Sequence, residues 1–309
     1  MEGSSIDKRH RPEPEVSVQA IERQAQANDV AIVVLGRIAG EGADRVVHDD
    51  FELTAVEREL IQNVSMVYHK AGKRVVVVLN IVGVVETASW KGLVDAIILP
   101  WAPGQEGAHA VADIIKGKVN PSGKLPMTFP VNYMDTPSAS NFPYRWDISG
   151  KRGERRNVDF SEYEEGIWVG YRHFQTRGVE VSYPFGYGLS YTLFDYGQPT
   201  VKADKDGFTA TITVTNTGKV PGREVVELYV SAPSGGLEKP DRELKAFAKT
   251  KTLMPGESET LTMTVTAYEL ASFNEATAAW ETAPGTYKLL FGASATDIRR
   301  TAAFKLKKR

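Results

Sequence analysis

Glu41 lies at the centre of a glycine-rich stretch, Gly36-Arg37-Ile38-Ala39-Gly40-Glu41-Gly42-Ala43-Asp44-Arg45. The stretch leaves a continuous apolar run, Val30-Ala31-Ile32-Val33-Val34-Leu35, which reads as a buried parallel strand. Open α/β sheets hold their ligands beyond the carboxyl ends of such strands. Glycines on either side let the backbone bend and bring the carboxylate up to a substrate. The same spacing suits a flexible surface loop, and spacing alone leaves both readings open. Phosphate binding fails on detail. Neither G-x-G-x-x-G nor G-x-x-x-x-G-K-[ST] is present, a glutamate at the loop centre repels phosphate, and the next helix begins only near Thr54.

Other candidates carry less. His10, His48, His69, His109 and His173 are scattered without metal-ligand spacing and read as solvated or core residues. Trp90 and Trp101 have rings able to stack on sugars, but beside buried strands packing is the better reading. Glu162, Glu164 and Glu165 lie among aromatics and read as a solvated charged face. There is no G-x-S-x-G elbow, and no cysteine for thiol catalysis, disulfides or zinc–thiolate sites. No cofactor is indicated.

The elements that must position Glu41 follow from periodicity. Ser17 is placed to cap a short helix through Ile21 and Ala25, ended by Asn28-Asp29. Thr54 and Glu57 form a Thr-x-x-Glu capping box, opening a helix with expected inner face Val56, Leu60, Val64 and Val67. Two more strands, Val75–Leu79 and Ala96–Leu99, precede a helix over about 106–115, broken by Asn120-Pro121-Ser122-Gly123. Buried strands separated by helices predict a parallel sheet. Only three strands are visible where a doubly wound sheet has about five or six. The α/β part therefore reads as truncated or completed from elsewhere, with apolar edges that predict poor solubility or self-association. From Val201 onward, Phe208, Ala210, Ile212 and Val214 alternate with threonines, and about seven short strands suggest an immunoglobulin-like sandwich.

A net charge of −2 at pH 7 gives no electrostatic reason to expect nucleic acid or an anionic membrane as partner. No apolar run reaches the ~20 residues of a membrane span, and no signal region leads the chain, so a cytoplasmic location is expected.

Several motifs together resemble glycoside hydrolase family 3 enzymes of the bacterial β-glucosidase type. Residues 37–45 resemble that family's S-G-E-G-x-D-R acid/base loop. Trp101-Ala102-Pro103-Gly104-Gln105-Glu106-Gly107 resembles its P-G-Q-E-G turn, and residues 119–130 its N-P-S-G-K-L-P-x-T-F-P segment. Residues 163–172, Pro184-Phe185-Gly186-Tyr187-Gly188-Leu189-Ser190-Tyr191-Thr192, Leu244-Lys245-Ala246-Phe247 and Pro255-Gly256-Glu257-Ser258 are also similar to family motifs, in order, from Ser17 to the C-terminus. The chain departs from the pattern at Ala39, at Ala43 and over Ile81–Glu86.

The resemblance implies a tail (1–15), a partial α/β sandwich (16–130) with the acid/base loop, an irregular connector (131–198) and a fibronectin type III-like domain (199–309). It implies that Glu41 is the general acid/base of a retaining glycosidase, supported by Gly40, Gly42, Asp44 and Arg45, with β-linked oligosaccharides or aryl glucosides as substrate. A β-xyloside is the alternative substrate. Retention also needs a nucleophilic carboxylate about 5–5.5 Å from the acid. In this family that is an aspartate on a (β/α)8 barrel, which nothing here resembles. The barrel is expected in cis or in trans, and the isolated chain is expected to be inactive. The other reading is a non-catalytic fragment or carbohydrate-associated module.

Overall fold

The computed structural model describes residues 13–37, 45–140, 163–204 and 206–307. Among them, residues up to 112 pack as one unit and residues from 113 as a second.

In the first unit the Ser17 hydroxyl accepts the Ala20 amide and caps α1 (Val18–Ala27), which buries Ile21 and Ala25, one turn apart. β1 (Val30–Gly36) follows, then α2 (Ala55–Lys70), β2 (Arg74–Asn80), β3 (Ala96–Ile98) and α3 (Gly107–Ile115). The three strands form a parallel sheet in the order β1-β2-β3, with Val33 opposite Val77 and Val77 opposite Ile97. Parallel neighbours need a crossover, and α2 supplies the one between β1 and β2. Its capping box is complete: the Thr54 hydroxyl accepts from the Glu57 amide, and the Glu57 carboxylate accepts from the Thr54 amide. The buried face of α2 is centred on Glu57, Ile61, Val64 and Tyr68, with Leu60 and Val67 only flanking it. The expected face through Val56 is thus rotated. An ion pair described below holds Glu57 inside, and Ile61 and Tyr68 follow it at i+4 and i+11.

The other side of the sheet is open at its edge. Val30, Ile32 and Val34 alternate with the buried Val33 and Leu35, and they remain 43%, 50% and 58% exposed. A parallel sheet is normally covered on both faces; among the described residues this apolar stripe stays exposed.

The second unit begins with β4 (Phe129–Pro130), α4 (Tyr171–Arg177) and β5 (Val181–Tyr183), which pairs antiparallel with β4. The sandwich then comprises β6 (Phe194–Tyr196), β7 (Thr200–Asp204), β8 (Gly207–Asn216), β9 (Val225–Ser231), β10 (Glu243–Lys249), β11 (Ser258–Thr266), β12 (Ser272–Asn274), β13 (Ala279–Glu281), β14 (Gly285–Gly292) and β15 (Ile298–Leu306). One sheet runs β10-β9-β14-β15 and the other β11-β8-β6 with β7 also on β8; all pairs are antiparallel. Phe208, Ala210, Ile212 and Val214 face Val226, Leu228, Tyr287, Leu289 and Phe291 in a continuous core. The alternating threonines face outward and pair across strands, Thr213 with Thr260 at 2.9 Å and Thr215 with Ser258 at 2.8 Å. The fold is thus mixed: a parallel α/β layer followed by an antiparallel β-sandwich.

A polar cluster is buried at the side of this core. Lys124 Nζ lies 3.2 Å from Glu224 and donates to the Ala293 carbonyl at 2.9 Å. Glu227, 4% exposed, accepts from the Tyr229 hydroxyl at 2.5 Å. Gly186 (φ 80°) packs its backbone against that carboxylate, where any Cβ would collide with it. Burial pushes Glu227 from 4.5 up to about 6, outweighing the Tyr229 hydrogen bond and the Lys124 charge.

Two outcomes are expected. Replacing Ile32 and Val34 together by Thr reduces self-association in sedimentation velocity without lowering the melting temperature; unchanged association would show the stripe is not the contact. Glu227 binds its proton more tightly folded than unfolded, so its contribution to stability is complete below about pH 4.5 and is lost as pH rises through about 6. Glu227→Gln is therefore more stable than the parent at pH 7.5, by on the order of 2 kcal/mol, and equal to it near pH 4. Melting curves that run parallel across this range would contradict the assignment.

Candidate functional site

At the carboxyl end of β1 the chain leaves the sheet through Arg37, whose amide donates to the Asn80 carbonyl at the end of β2. The Arg37 guanidinium is 5% exposed and meets the 2% exposed Glu57 carboxylate through two parallel bonds, Nη1 to Oε1 at 2.6 Å and Nη2 to Oε2 at 2.8 Å. Its Nε donates to the Asp50 carbonyl at 2.7 Å. Burial alone would raise the Glu57 pKa; the Arg37 hydrogen bonds, the Thr54 amide and the Arg37 charge together outweigh it and leave the group below its ordinary value. The carboxylate that caps α2 thus also fixes the end of β1.

Arg45 is the first described residue on the other flank of the segment containing Glu41. Its Nε and Nη2 both donate to Asp50 Oδ1, at 2.9 and 2.7 Å, and Nη1 donates to the Val84 carbonyl at 2.9 Å. A Cβ at residue 83 would collide with Nη1, so the close approach requires Gly83. The other Asp50 oxygen accepts from the Val46 amide at 3.3 Å. Asp50 is presented by an irregular turn over Val47–Phe51 in which Asp49 adopts a left-handed conformation, φ 62°. One residue therefore receives both arginines: its carbonyl takes Arg37 and its carboxylate takes Arg45.

Gly40, Glu41, Gly42 and Asp44 lie outside the described residues, as do His10 and Glu162. Three described acids of the first unit are engaged: Asp50 by Arg45, Glu57 by Arg37, and Glu86 by the Ser89 amide and hydroxyl at 2.6 and 2.7 Å. Trp90 is a core residue, its indole N–H donating to the Glu86 carbonyl at 2.7 Å. Trp101, after β3, has φ 58°, a conformation uncommon for a bulky residue. His69 is spent on Asp95, at 2.8 Å, and no group of three or more potential metal ligands occurs among the described residues. Sequence reasoning missed Arg37, Asp50 and Glu57 as supports. The available signal was a lone arginine at a strand end beside a carboxylate already committed to a cap.

The profile of the glycosyl hydrolase family 3 C-terminal domain matches residues 5–191. The chain belongs to that family. The profile of the fibronectin type III-like domain matches residues 224–295, within the sandwich. Beta-glucosidase A of Butyrivibrio fibrisolvens is 36% identical over 93% of this chain and 38% of its own length. An exo-alpha-(1->6)-L-arabinopyranosidase of Bifidobacterium longum is 36% identical over 95% and 37%. In structure the chain is similar to beta-glucosidase 3B of Thermotoga neapolitana, solved in complex with alpha-D-glucose, with a TM-score of 0.89 and 43% identity over 97% of this chain and 41% of that one. The family 3 chain thus spans about two-fifths of the length of these relatives.

Arg37→Met leaves the Glu57 carboxylate buried beside Thr54 without its counter-charge, and should cost roughly 3–5 kcal/mol in urea unfolding at pH 7. Because the folded Glu57 pKa lies below its unfolded value, the parent's gain is present above about pH 4.5 and is lost on acidification. The penalty of the variant therefore shrinks as pH falls, and a penalty independent of pH would show that the pair is not its source.

Proposed function

We propose that this chain carries the acid/base part of a retaining glycosidase of the β-glucosidase type, with Glu41 as the acid/base and the nucleophilic carboxylate on a (β/α)8 barrel. The observation that carries this reading is the family match across residues 5–191, which includes the Glu41 segment at the carboxyl end of a parallel strand. The pinning of Arg37 and Arg45 to Asp50 supports it, because catalysis by a loop carboxylate needs fixed anchors. So does the engagement of Asp50, Glu57 and Glu86, which leaves those carboxylates no free role.

In the first step Glu41 donates its proton to the glycosidic oxygen as that bond breaks, while the barrel carboxylate attacks the anomeric carbon. In the second, the Glu41 carboxylate takes a proton from the water that displaces the enzyme ester. Glu41 must begin protonated near neutral pH, a state favoured by burial and by the negative nucleophile. Terminal β-D-glucosyl residues are the leading substrate. The arabinopyranosidase among the relatives keeps pentopyranosides, β-xylosides among them, as alternatives.

The test is hydrolysis of p-nitrophenyl β-glucoside by the chain alone and with a family 3 barrel domain added in trans. The chain alone is expected to be inactive, and the reconstituted pair active. Glu41→Gln should lower that activity roughly 10²–10⁴-fold, and azide, which needs no base to attack, should restore release of the sugar. Turnover by the chain alone would place a nucleophile within these residues and overturn the division of labour. A non-catalytic, carbohydrate-associated role would follow if the reconstituted pair stayed inactive.

A further inference from the structure

The β12–β13 hairpin holds an aromatic cluster that the described residues leave largely exposed. Phe273 and Trp280 are a directly opposed cross-strand pair, with ring centroids 5.7 Å apart at 66°. Tyr268, on the turn after β11, approaches Trp280 at 5.7 Å. Trp280 touches both other rings, yet the three remain 67% (Tyr268), 48% (Phe273) and 57% (Trp280) exposed. Rings recruited for packing would be covered, as Phe208, Tyr287 and Phe304 are in the neighbouring core.

The platform is rigid although β12 and β13 pair only with each other. On the opposite face of the ribbon the Glu281 carboxylate accepts from Asn274 at 3.0 Å and from Thr277 at 2.6 Å, and Asn274 Oδ1 accepts from the Ala276 amide at 3.0 Å. The Thr282 hydroxyl donates to the Ala267 carbonyl at 2.7 Å, fixing the hairpin exit beside Tyr268. The Glu269 carboxylate closes the Tyr268 turn on the Thr266 amide at 2.6 Å. A surface ordered in this way has already met much of the entropy cost of binding.

Charge narrows the ligand. From Thr252 to Tyr287 there is no lysine or arginine, while Glu257, Glu259, Glu269, Glu275 and Glu281 are present. The Lys239 ammonium donates to the carbonyl of Leu270, two residues beyond Tyr268 in the chain, at 2.8 Å. Such a surroundings repels phosphates and acidic polysaccharides, and suits a neutral ligand with an apolar face and hydroxyl donors. A pyranose ring has that build: its C–H face stacks on an indole and its hydroxyls donate to carboxylate or phenol oxygens.

We propose that Trp280, with Phe273 and Tyr268, forms a surface binding site for the pyranose rings of a neutral β-glucan, independent of the Glu41 chemistry. The test is native affinity electrophoresis of the full chain in gels containing laminarin or hydroxyethylcellulose, with polygalacturonate as an anionic control. The chain should be retarded by at least one neutral glucan and not by polygalacturonate. Trp280→Ala should weaken retention about tenfold or more, Trp280→Phe should keep part of it, and Phe247→Ala, an exposed ring on β10, should leave it unchanged. Matching melting temperatures would show the variants folded. The proposal is overturned if the parent is not retarded, or if Trp280→Ala is retarded equally. It is also overturned if Trp280→Ala dissolves an oligomer in sedimentation velocity while retention persists, since the cluster would then be covered by a second copy. Retention requires no turnover, so its failure leaves the acid/base reading of Glu41 standing, and the reverse also holds.

Discussion

The buried Arg37–Glu57 pair is the constraint on which the carboxyl end of β1 and the start of α2 depend. Two charges that are 5% and 2% exposed are tolerable only because their geometry is bidentate and their remaining valences are filled. Arg37 spends its Nε on Asp50, and Glu57 accepts the Thr54 amide. A single contact thereby ties the end of β1, the start of α2 and the irregular turn over residues 47–51. Asp50 passes the constraint on to Arg45, so the two flanks of the Glu41 segment share one anchor. The same pair explains why α2 is rotated from its apolar pattern: the helix must turn Glu57 inward before it can bury Ile61.

The second unit is organised mainly by apolar alternation, and polar side chains act as fasteners. Asn120 accepts from the Ser190 hydroxyl at 2.9 Å and the Tyr191 amide at 2.8 Å, and donates to the Pro221 carbonyl at 2.9 Å. Lys124 reaches Glu224 and Ala293, and Gly186 lies against Glu227. The N-P-S-G-K-L-P and P-F-G-Y-G-L-S-Y segments therefore interlock with each other and with β9. Their distinctive residue types serve packing and hydrogen bonding.

Much of the fold was legible because its signals are local. Val30–Leu35 and Val75–Leu79 are apolar on both faces, as parallel strands are, and the threonine alternation of β8 and β11 marks a half-buried antiparallel sheet. Less was legible where elements are short or mixed. β6 has three residues within an apparently irregular stretch, and β10, Glu-Leu-Lys-Ala-Phe-Ala-Lys, carries a register irregularity between Leu244 and Ala246 that blurs its alternation. The aromatic hairpin left no trace, because Tyr268, Phe273 and Trp280 have irregular spacing and meet only across a ribbon.

By itself the sequence determined the order of the α/β elements up to α3, the capping of α1 and α2, the change from parallel to antiparallel texture and the position of a glycine-flanked glutamate at a strand end. These depend on residues within a few positions of one another, where backbone propensity and side-chain periodicity act directly. Tertiary structure alone decided that Arg37 and Arg45 converge on Asp50, that Glu57 serves two partners, and that Glu227 is buried against Tyr229 and Gly186. Those outcomes depend on which groups folding brings together and how much water it removes, and neither is written in local spacing.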